Sequence, residues 1–241
     1  MDRALYAAAT GMAAQQQNLD TISDNLANAD VAGFKGSAES FAALAAPGER
    51  GMGTVALGAH AIFTQGKLER SNGPFDVAID GSGFFVLKRG NERAYTRDGE
   101  FSRAADGTLR NADGWSLDGV RIPADALSAN VSDDGRVRVT TAQGAHEAAR
   151  LKLALFPAPE QLQNVGGTIF RETPASGRPL LQQPGGEHGP HVRFGMLEKS
   201  NVTIVDAMMQ ILAAQRAYEA NAKGVQAADE MLRIANNLQR G

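Results

Sequence analysis

The 241-residue sequence predicts an α+β protein, with long N- and C-terminal helices that pair as a coiled coil and a central antiparallel domain rich in β-hairpins. Three observations carry this prediction. Apolar residues recur every seven positions at both ends, and such a repeat places a narrow apolar stripe on a helix, suited to packing against other helices. Both ends lack proline, and six Asp-Gly pairs, which are strong hairpin-turn signals, fall between them.

These patterns divide the chain into three regions. We expect a terminal helical domain from residues 1–34 and 199–241, a linker or extended segment over 35–69, and a β-rich outer domain over 70–198. Because the chain leaves a helical region and returns to it, the two ends should lie side by side.

The first helix is predicted from about Asp2 to about Asn28, and Asn, Asp and Gly then supply stop signals as far as Gly33. Gly11 lies in its middle, where glycine costs about 1 kcal/mol relative to alanine, so we expect the backbone of another segment to approach there. The apolar stripe of this helix consists of Leu5, Met12, Leu19, Ile22 and Leu26.

The sequence of the middle of the chain predicts turns and short strands. The stretches Pro47–Gly58 and Pro174–Pro190 are rich in Gly and Pro and are predicted to be loops. The Asp-Gly pairs are at Asp80, Asp98, Asp106, Asp113, Asp118 and Asp134. Strands are predicted at Asp76–Ile79, Gly83–Lys88, Arg93–Arg97, Thr108–Ala112, Arg136–Thr141, Leu151–Phe156 and Thr168–Glu172.

The last helix is predicted to begin with Ser200 or Asn201 as its N-cap and to run to about Gln239. Its large apolar positions are Ile204, Ile211, Tyr218, Val225 and Leu232, and three residues after each come Ala207, Ala214, Asn221, Ala228 and Ala235. Alternating large and small residues let neighbouring helices approach closely. Asn221 is either a buried polar residue that fixes register or an exposed residue at the helix edge.

Composition excludes several classes of partner. A net charge of −3 favours neither nucleic acid nor an anionic membrane. The chain has no cysteine, so it has neither disulfides nor thiolate metal sites. The N-terminus lacks the continuous apolar centre of a signal peptide, and nothing approaches the roughly 20 apolar residues of a membrane span. We therefore expect no membrane insertion, and any export should use a route without a cleaved signal.

Candidate catalytic and metal-binding groups are few. Glu187, His188 and His191 form the one clustered set of metal ligands, but a Gly/Pro-rich loop offers them no supporting shell. The aspartates of the Asp-Gly pairs are explained by turn formation. Gly81-Ser82-Gly83 is followed by apolar residues instead of the lysine of a phosphate-binding loop. We predict no enzyme activity, no metal and no cofactor.

Motifs at both ends resemble the bacterial flagellar rod and hook proteins. The N-terminal motif consists of Asn25, Leu26, Ala27, Asn28, Gly33, Phe34 and Lys35. The C-terminal motif consists of Ser200, Asn201, Val202, Gln215, Arg216, Ala217, Tyr218 and Glu219. The stretches Asp76–Leu87 and Tyr95–Phe101 are similar to the same group, so the resemblance covers nearly the whole chain.

The resemblance implies a structural subunit of the flagellar rod in the basal body, polymerised through its terminal helices into a hollow drive shaft that transmits torque. Its partners would be other rod and hook subunits, and it would leave the cell through the flagellar type III export apparatus. About 20 residues separate Leu44 from Gln65, which is short for a distal rod protein of the FlgG type and favours the proximal, FlgF type. The distal rod is the alternative, and a surface adhesin or binding module with a helical stalk is the alternative from another class.

The resemblance and the heptads together predict an assembly interface. Two seams should meet within one subunit, namely Leu5, Met12, Leu19 and Leu26 with Ile204, Ile211, Tyr218, Val225 and Leu232. Flanking positions such as Ile22, Met208, Met209 and Leu212 would be left for neighbouring subunits. An isolated subunit cannot bury all of these residues, so we expect frayed or disordered helical ends in the monomer and ordering on assembly.

Overall fold

A computed structural model describes residues 2–44, 53–186 and 189–238. The chain forms two compact units. The helical unit comprises Met1–Ala27, Ser37–Ile62 and Val202–Gly241. The β unit comprises Asn28–Gly36 and Phe63–Asn201. These bounds differ from the predicted domains, because part of the expected linker belongs to the helical unit and the residues directly after the first helix belong to the β unit.

Two long helices dominate the helical unit, as predicted: α1 spans Asp2–Ala27 and α2 spans Ile204–Leu238. They run antiparallel, since Gly11 faces Asn221 in the middle of α2, whereas Ile22, further along α1, packs with Ala207 and Ala214 in the first half of α2. The approach at Gly11 is made by the side chain of Asn221, not by another backbone as predicted. Asn221 therefore lies within the interface between the helices.

The N-cap of α2 is Thr203 instead of the predicted Ser200 or Asn201. The Thr203 hydroxyl accepts a hydrogen bond from the amide of Asp206, 3.1 Å away, and the Thr203 carbonyl accepts the first helical bond from Ala207. Asp206 also lies in the first turn, where a negative charge is favoured. Asn201 does not cap the helix, because its side chain bonds to the segment around Gly36.

The helical unit also contains a β-hairpin that the sequence did not predict. Strands β1, Ser37–Ala43, and β2, Thr54–Ala61, pair antiparallel and pack on α1. Asn25 of α1 bonds to both the amide and the carbonyl of Ser37. The expected loop over Pro47–Gly58 is therefore wrong from Thr54 onward, while Pro47–Met52 lies outside the described residues. No strand was predicted here because Ala and Gly occupy many of its positions, so large apolar and polar residues do not alternate.

The seam between the helices also differs from the prediction. On α2 the residues buried against α1 are the small ones, Ala207, Ala214 and Ala228, whereas Ile204 and Tyr218 are exposed. Ile22 is buried in this seam and is not left for a neighbour, because a large residue of α1 fills the space above the two alanines. Coiled-coil pairing in the strict sense remains a prediction.

The β unit is antiparallel throughout its pairings, as predicted. Its strands are β3 (Leu68–Arg70), β4 (Val77–Asp80), β5 (Phe84–Arg89), β6 (Glu92–Thr96), β7 (Ser102–Arg103), β8 (Thr108–Arg110), β9 (Ser116–Arg121), β10 (Ser128–Val131), β11 (Arg136–Thr141), β12 (Gly144–Arg150), β13 (Leu153–Leu155), β14 (Gln163–Gly166), β15 (Ile169–Arg171), β16 (Leu180–Gln182), β17 (His191–Phe194) and β18 (Met196–Glu198), with a short 3-10 helix at Pro159–Gln161. The seven predicted strands match β4, β5, β6, β8, β11, β13 and β15.

The largest sheet has the order β14-β15-β6-β5-β9-β8-β7, with β13 pairing both β5 and β16. Strands β10, β11 and β12 form a second sheet, and two ladders, β17 with β4 and β18 with β3, join distant parts of the chain. Bulky residues from these strands pack into a common hydrophobic core, in which Phe85, Leu87 and Leu153 are fully buried.

Only three of the six Asp-Gly pairs form hairpin turns in this unit. The pairs at Asp106, Asp113 and Asp134 join paired strands, with positive φ at each glycine. The pair at Asp80 begins with the last residue of β4, which pairs with the distant strand β17, and the pair at Asp118 lies inside β9. At the remaining pair, a Cβ on Gly99 would lie 1.5 Å from the Val77 carbonyl oxygen, so this glycine permits a close backbone approach instead of a turn.

Candidate assembly surface and motif junction

The family motifs from the two ends of the chain meet within the β unit. We call the meeting point the motif junction and define it by Gly33, Lys35, Thr64, Gly66, Arg97, Glu198 and Asn201. Strand β18 places Glu198 opposite Leu68 of β3, and the left-handed backbone of Gly33 (φ 68°) turns the chain toward this ladder after α1. Residues 165 positions apart in sequence are thereby hydrogen-bonded.

Glu198 is the centre of the junction. Its carboxylate Oε1 accepts from the Lys35 ammonium at 2.6 Å and from the Gly66 amide at 2.8 Å. Its Oε2 accepts from the Arg97 guanidinium at 3.2 Å, and its backbone carbonyl accepts from the Gly33 amide at 2.7 Å. The side chain of Glu198 thus binds three separate segments of the chain.

Three residues after Glu198, the side chain of Asn201 also bonds to two separate segments of the chain. Its Oδ1 accepts from the Gly36 amide at 2.8 Å, and its Nδ2 donates to the Thr64 hydroxyl at 2.9 Å. Lys35 also donates to the Thr64 carbonyl at 2.7 Å. The segments that follow α1 and precede α2 are therefore both bound to the short stretch around Thr64.

The junction buries charge. The side chains of Lys35 and Glu198 have no exposed area, and that of Arg97 is 4% exposed. Burial lowers the pKa of Lys35 below its ordinary value, and the attraction of Glu198 opposes that effect. Burial likewise lowers the pKa of Arg97. Two cations and one carboxylate are thus held in a water-excluded place, an arrangement that is expensive in free energy.

A second feature is the apolar surface of α2, which we call the α2 apolar face. It consists of Ile204, Val205, Met208, Met209 and Leu212, each between 45% and 67% exposed. The spacing places Val205, Met208 and Leu212 on one side of the first two turns. A contiguous group of large exposed apolar side chains marks an interaction surface more often than scattered single residues do.

The other predicted interface residues lie at intermediate depth. Leu19, Leu26 and Ile211 pack at the border of the cluster around Ile22, and Val202 joins them. Leu5, Met12, Val225 and Leu232 are half-buried. Tyr218 is 39% exposed.

The motif residues outside the junction have separate roles. Asn25 is buried and bonds the hairpin at Ser37, whereas the Asn28 carbonyl accepts from the amide of Val31 in the turn after α1. Phe34 and Ser200 are buried. Gln215 and Arg216 are exposed on α2, and they are not brought to the junction.

Sequence reasoning missed Arg97, Thr64 and Glu198. The signal available was weak: Arg97 and Glu198 are charged residues within otherwise apolar or motif-rich stretches. Glu198 is 101 residues from Arg97 and 163 residues from Lys35 in sequence. Only the ladder of β18 with β3 shows that they meet.

Within the described ranges, no three His, Asp or Glu side chains come together in a way that could hold a metal ion. Glu187 and His188 lie outside those ranges. Neither described helix is sufficiently long and apolar to cross a membrane.

Comparisons with known proteins agree with this geometry. Residues 5–35 match the family described as flagella basal body rod protein, residues 78–139 match the flagellar hook protein FlgE/F/G D1 domain, and residues 194–238 match the flagellar basal body rod FlgEFG protein C-terminal region. The first and last matches include the motif residues on both sides of the junction.

Whole-chain relatives give the same family. The chain is 37% identical over 264 aligned positions to flagellar basal-body rod protein FlgG of Borreliella burgdorferi, covering 100% of both chains. In Caulobacter vibrioides it is 35% identical to FlgG, covering 98% of this chain and 99% of the relative, and 30% identical to FlgF, covering 98% and 97%.

The preference for the FlgF type is not supported by these relatives. The 264 aligned positions exceed the 241 residues of this chain, so FlgG of Borreliella burgdorferi has residues where this chain has none. Loop length is a poor guide because surface loops accept insertions at little cost in free energy. The residues of both chain ends, the junction they form and the whole-chain relatives agree: the chain belongs to the flagellar basal-body rod protein family, and it is a structural protein of the flagellar basal body instead of an enzyme.

Proposed function

We propose that this protein is a distal-rod subunit of the FlgG type that polymerises through its terminal helices into a hollow shaft and transmits torque. The observation that carries polymerisation is the α2 apolar face, which the helical unit leaves uncovered. The distal assignment is supported by the higher identity to FlgG than to FlgF within one organism.

The mechanism is the addition of identical subunits through two different patches, since a heterologous contact that does not close generates a helical filament. Covering a large apolar side chain contributes about 1.5–3 kcal/mol when it goes from full exposure to full burial. The five residues of the α2 apolar face are roughly half exposed, so each has an appreciable part of that free energy still available for assembly.

The proposal includes the partners and the route of export. Other rod and hook subunits would contact the same helical unit, α1 and α2 would pair as a coiled coil in the assembled rod, and the chain would pass through the flagellar type III export apparatus without a cleaved signal. The adhesin alternative has no relative or surface feature in its favour among those described above.

A charged substitution on the α2 apolar face tests polymerisation. Met208→Asp should abolish motility and rod completion in the native organism, because a carboxylate would be buried between subunits without a partner. Gln226→Asp, also on the exposed side of α2 but outside the face, adds the same charge and should leave motility intact. Normal swimming of the Met208→Asp strain would overturn the proposal.

Position in the rod is tested separately. Isolated basal bodies labelled with antibody against this chain should carry label on the rod segment next to the hook. Label confined to the opposite end of the rod would restore the proximal assignment.

A further inference from the structure

We infer that Glu198 is a positioning residue, which holds the segment after α1 and the segment before α2 at one point of the β unit, and that the motif junction serves position instead of stability. The inference rests on the proposed function, because the two segments that Glu198 holds lead directly into the helices through which the subunit would polymerise. The contacts that Glu198 makes within the β unit do not depend on polymerisation.

The first argument is convergence. The segment that follows α1, residues 28–36, and the segment that precedes α2, residues 195–201, both belong to the β unit and meet at the junction. Glu198 belongs to the segment before α2. Its carboxylate binds the segment after α1 through Lys35 and the stretch around Thr64 through the Gly66 amide. One carboxylate therefore sets the distances among all three.

The second argument is that this arrangement is a poor way to gain stability. Glu198 pairs with both buried cations, but its single negative charge balances only one of their two positive charges. In addition, Arg97 Nε has no hydrogen-bond partner among the described residues. The lowered pKa of Lys35 is consistent with this cost, because the effect of burial on the ammonium group exceeds the attraction of Glu198. Well-packed apolar residues of similar volume often replace such clusters with no loss of stability.

The third argument is the lack of space around the carboxylate. A Cβ on Gly66 would lie 1.9 Å from the Lys199 carbonyl oxygen, and one on Gly33 would lie 2.2 Å from the Asp98 amide nitrogen. These contacts are with backbone atoms, which cannot rotate away. The segments thus meet in a single close arrangement, and the directional bonds of Glu198 select it.

Amide hydrogen exchange on the full-length chain tests the structural part. Glu198→Gln keeps the shape but removes the charge, and we expect at least tenfold faster exchange of the Gly66 amide, which donates to this carboxylate. Glu69→Gln, which alters an exposed pair with Lys67, should leave the exchange of that amide unchanged. Unchanged exchange in Glu198→Gln would overturn the inference. Lys35→Met removes the same contact from the other side and gives the same readout if the first variant does not fold.

The positional role is tested by a triple variant, Lys35→Met, Arg97→Met and Glu198→Leu, in the native organism. We expect thermal stability equal to or above that of the original chain, together with a loss of motility. Normal motility with normal stability would overturn the positional role, because apolar residues would then serve as well as the charged junction. If polymerisation itself is wrong, Met208→Asp will swim while the exchange result for Glu198→Gln is unaffected, so the two failures are distinguishable.

Discussion

The β unit and the helical unit handle their apolar residues in opposite ways. In the β unit the largest side chains, such as Phe85, Phe170 and Leu153, are fully buried by their own chain. In the helical unit the residues most buried in the seam of α2 are alanines, while Val205 and Met209 lie more than half exposed. The difference supports the proposal that other subunits complete the helical unit, whereas the β unit already buries a large apolar core of its own.

The physical reason is the amount of apolar surface that each interior covers. Stabilisation by burial scales with apolar area, and alanine supplies far less of it than phenylalanine or leucine. Long helices in water depend mainly on tertiary packing of an apolar face. The helical unit should therefore unfold more easily, and Trp115, the single tryptophan, allows the buried interior of the β unit to be followed separately.

The largest effect is expected when the β unit loses its central carboxylate. Glu198→Ala leaves Lys35 and Arg97 buried without their partner, and such a loss typically costs about 3–5 kcal/mol. Urea unfolding followed by Trp115 fluorescence measures it. Glu69→Ala, at an exposed pair, should change the free energy of unfolding far less, because solvent screens that pair. Equal effects of the two variants would show that the junction is not part of the unit's interior.

The next effect concerns pH. Burial raises the pKa of Asp98 from 3.8 to about 6, so the folded state binds this proton more tightly than the unfolded state does. The stabilisation is complete below pH 3.8 and is lost as pH rises through about 6. Asp98→Asn should therefore raise the free energy of unfolding at pH 7 by at most about 3 kcal/mol, with little change near pH 4.

Asp106 is the matched control for that pH dependence. A hydrogen bond from the Thr108 hydroxyl lowers the pKa of Asp106 to about 2, so its contribution has the opposite sign and is lost as pH falls toward 2. Asp106→Asn should reduce stability at pH 7. An increase there, or no effect of Asp98→Asn at any pH, would contradict the electrostatic description of the β unit.

A smaller effect is expected at the start of α2. Thr203→Ala removes the hydroxyl that accepts from the Asp206 amide, and loss of such a cap costs about 0.5–2 kcal/mol. The change should appear in the helical transition measured by circular dichroism at 222 nm and not in Trp115 fluorescence. An equal shift of both transitions would mean that the two units do not unfold separately.

The smallest effect tests the close seam. Gly224→Ala should stabilise α2 by about 0.5–1 kcal/mol, because its Cβ would meet Ala8 at an ordinary distance of 4.0 Å. Gly11→Ala should gain less, since its Cβ would lie 3.0 Å from Asn221 Nδ2. Thermal melts at 222 nm compare the two variants. A larger gain at Gly11 would show that the seam is looser than described.

The sequence predicted the elements with long or regular patterns. The seven-residue repeats and the absence of proline located α1 and α2, and alternating residues located Arg136–Thr141 without error. These features depend on neighbours in sequence, which is why local patterns reveal them.

Elements that depend on distant partners were not predictable in this way. Strand β2 consists mainly of small residues, and its strand conformation depends on pairing with β1 and on contact with α1. The junction brings Lys35 to Glu198 across 163 positions. The motifs indicated that these residues matter, but no spacing in the chain showed that they touch.

The central claim is that the β unit is complete alone and the helical unit is not. Urea unfolding of the isolated monomer, followed simultaneously by ellipticity at 222 nm and by Trp115 fluorescence, tests it most directly. The ellipticity should be lost at a lower urea concentration than the fluorescence signal. Coincident transitions would contradict the account, because they would show one cooperative structure in which the helices need no partner.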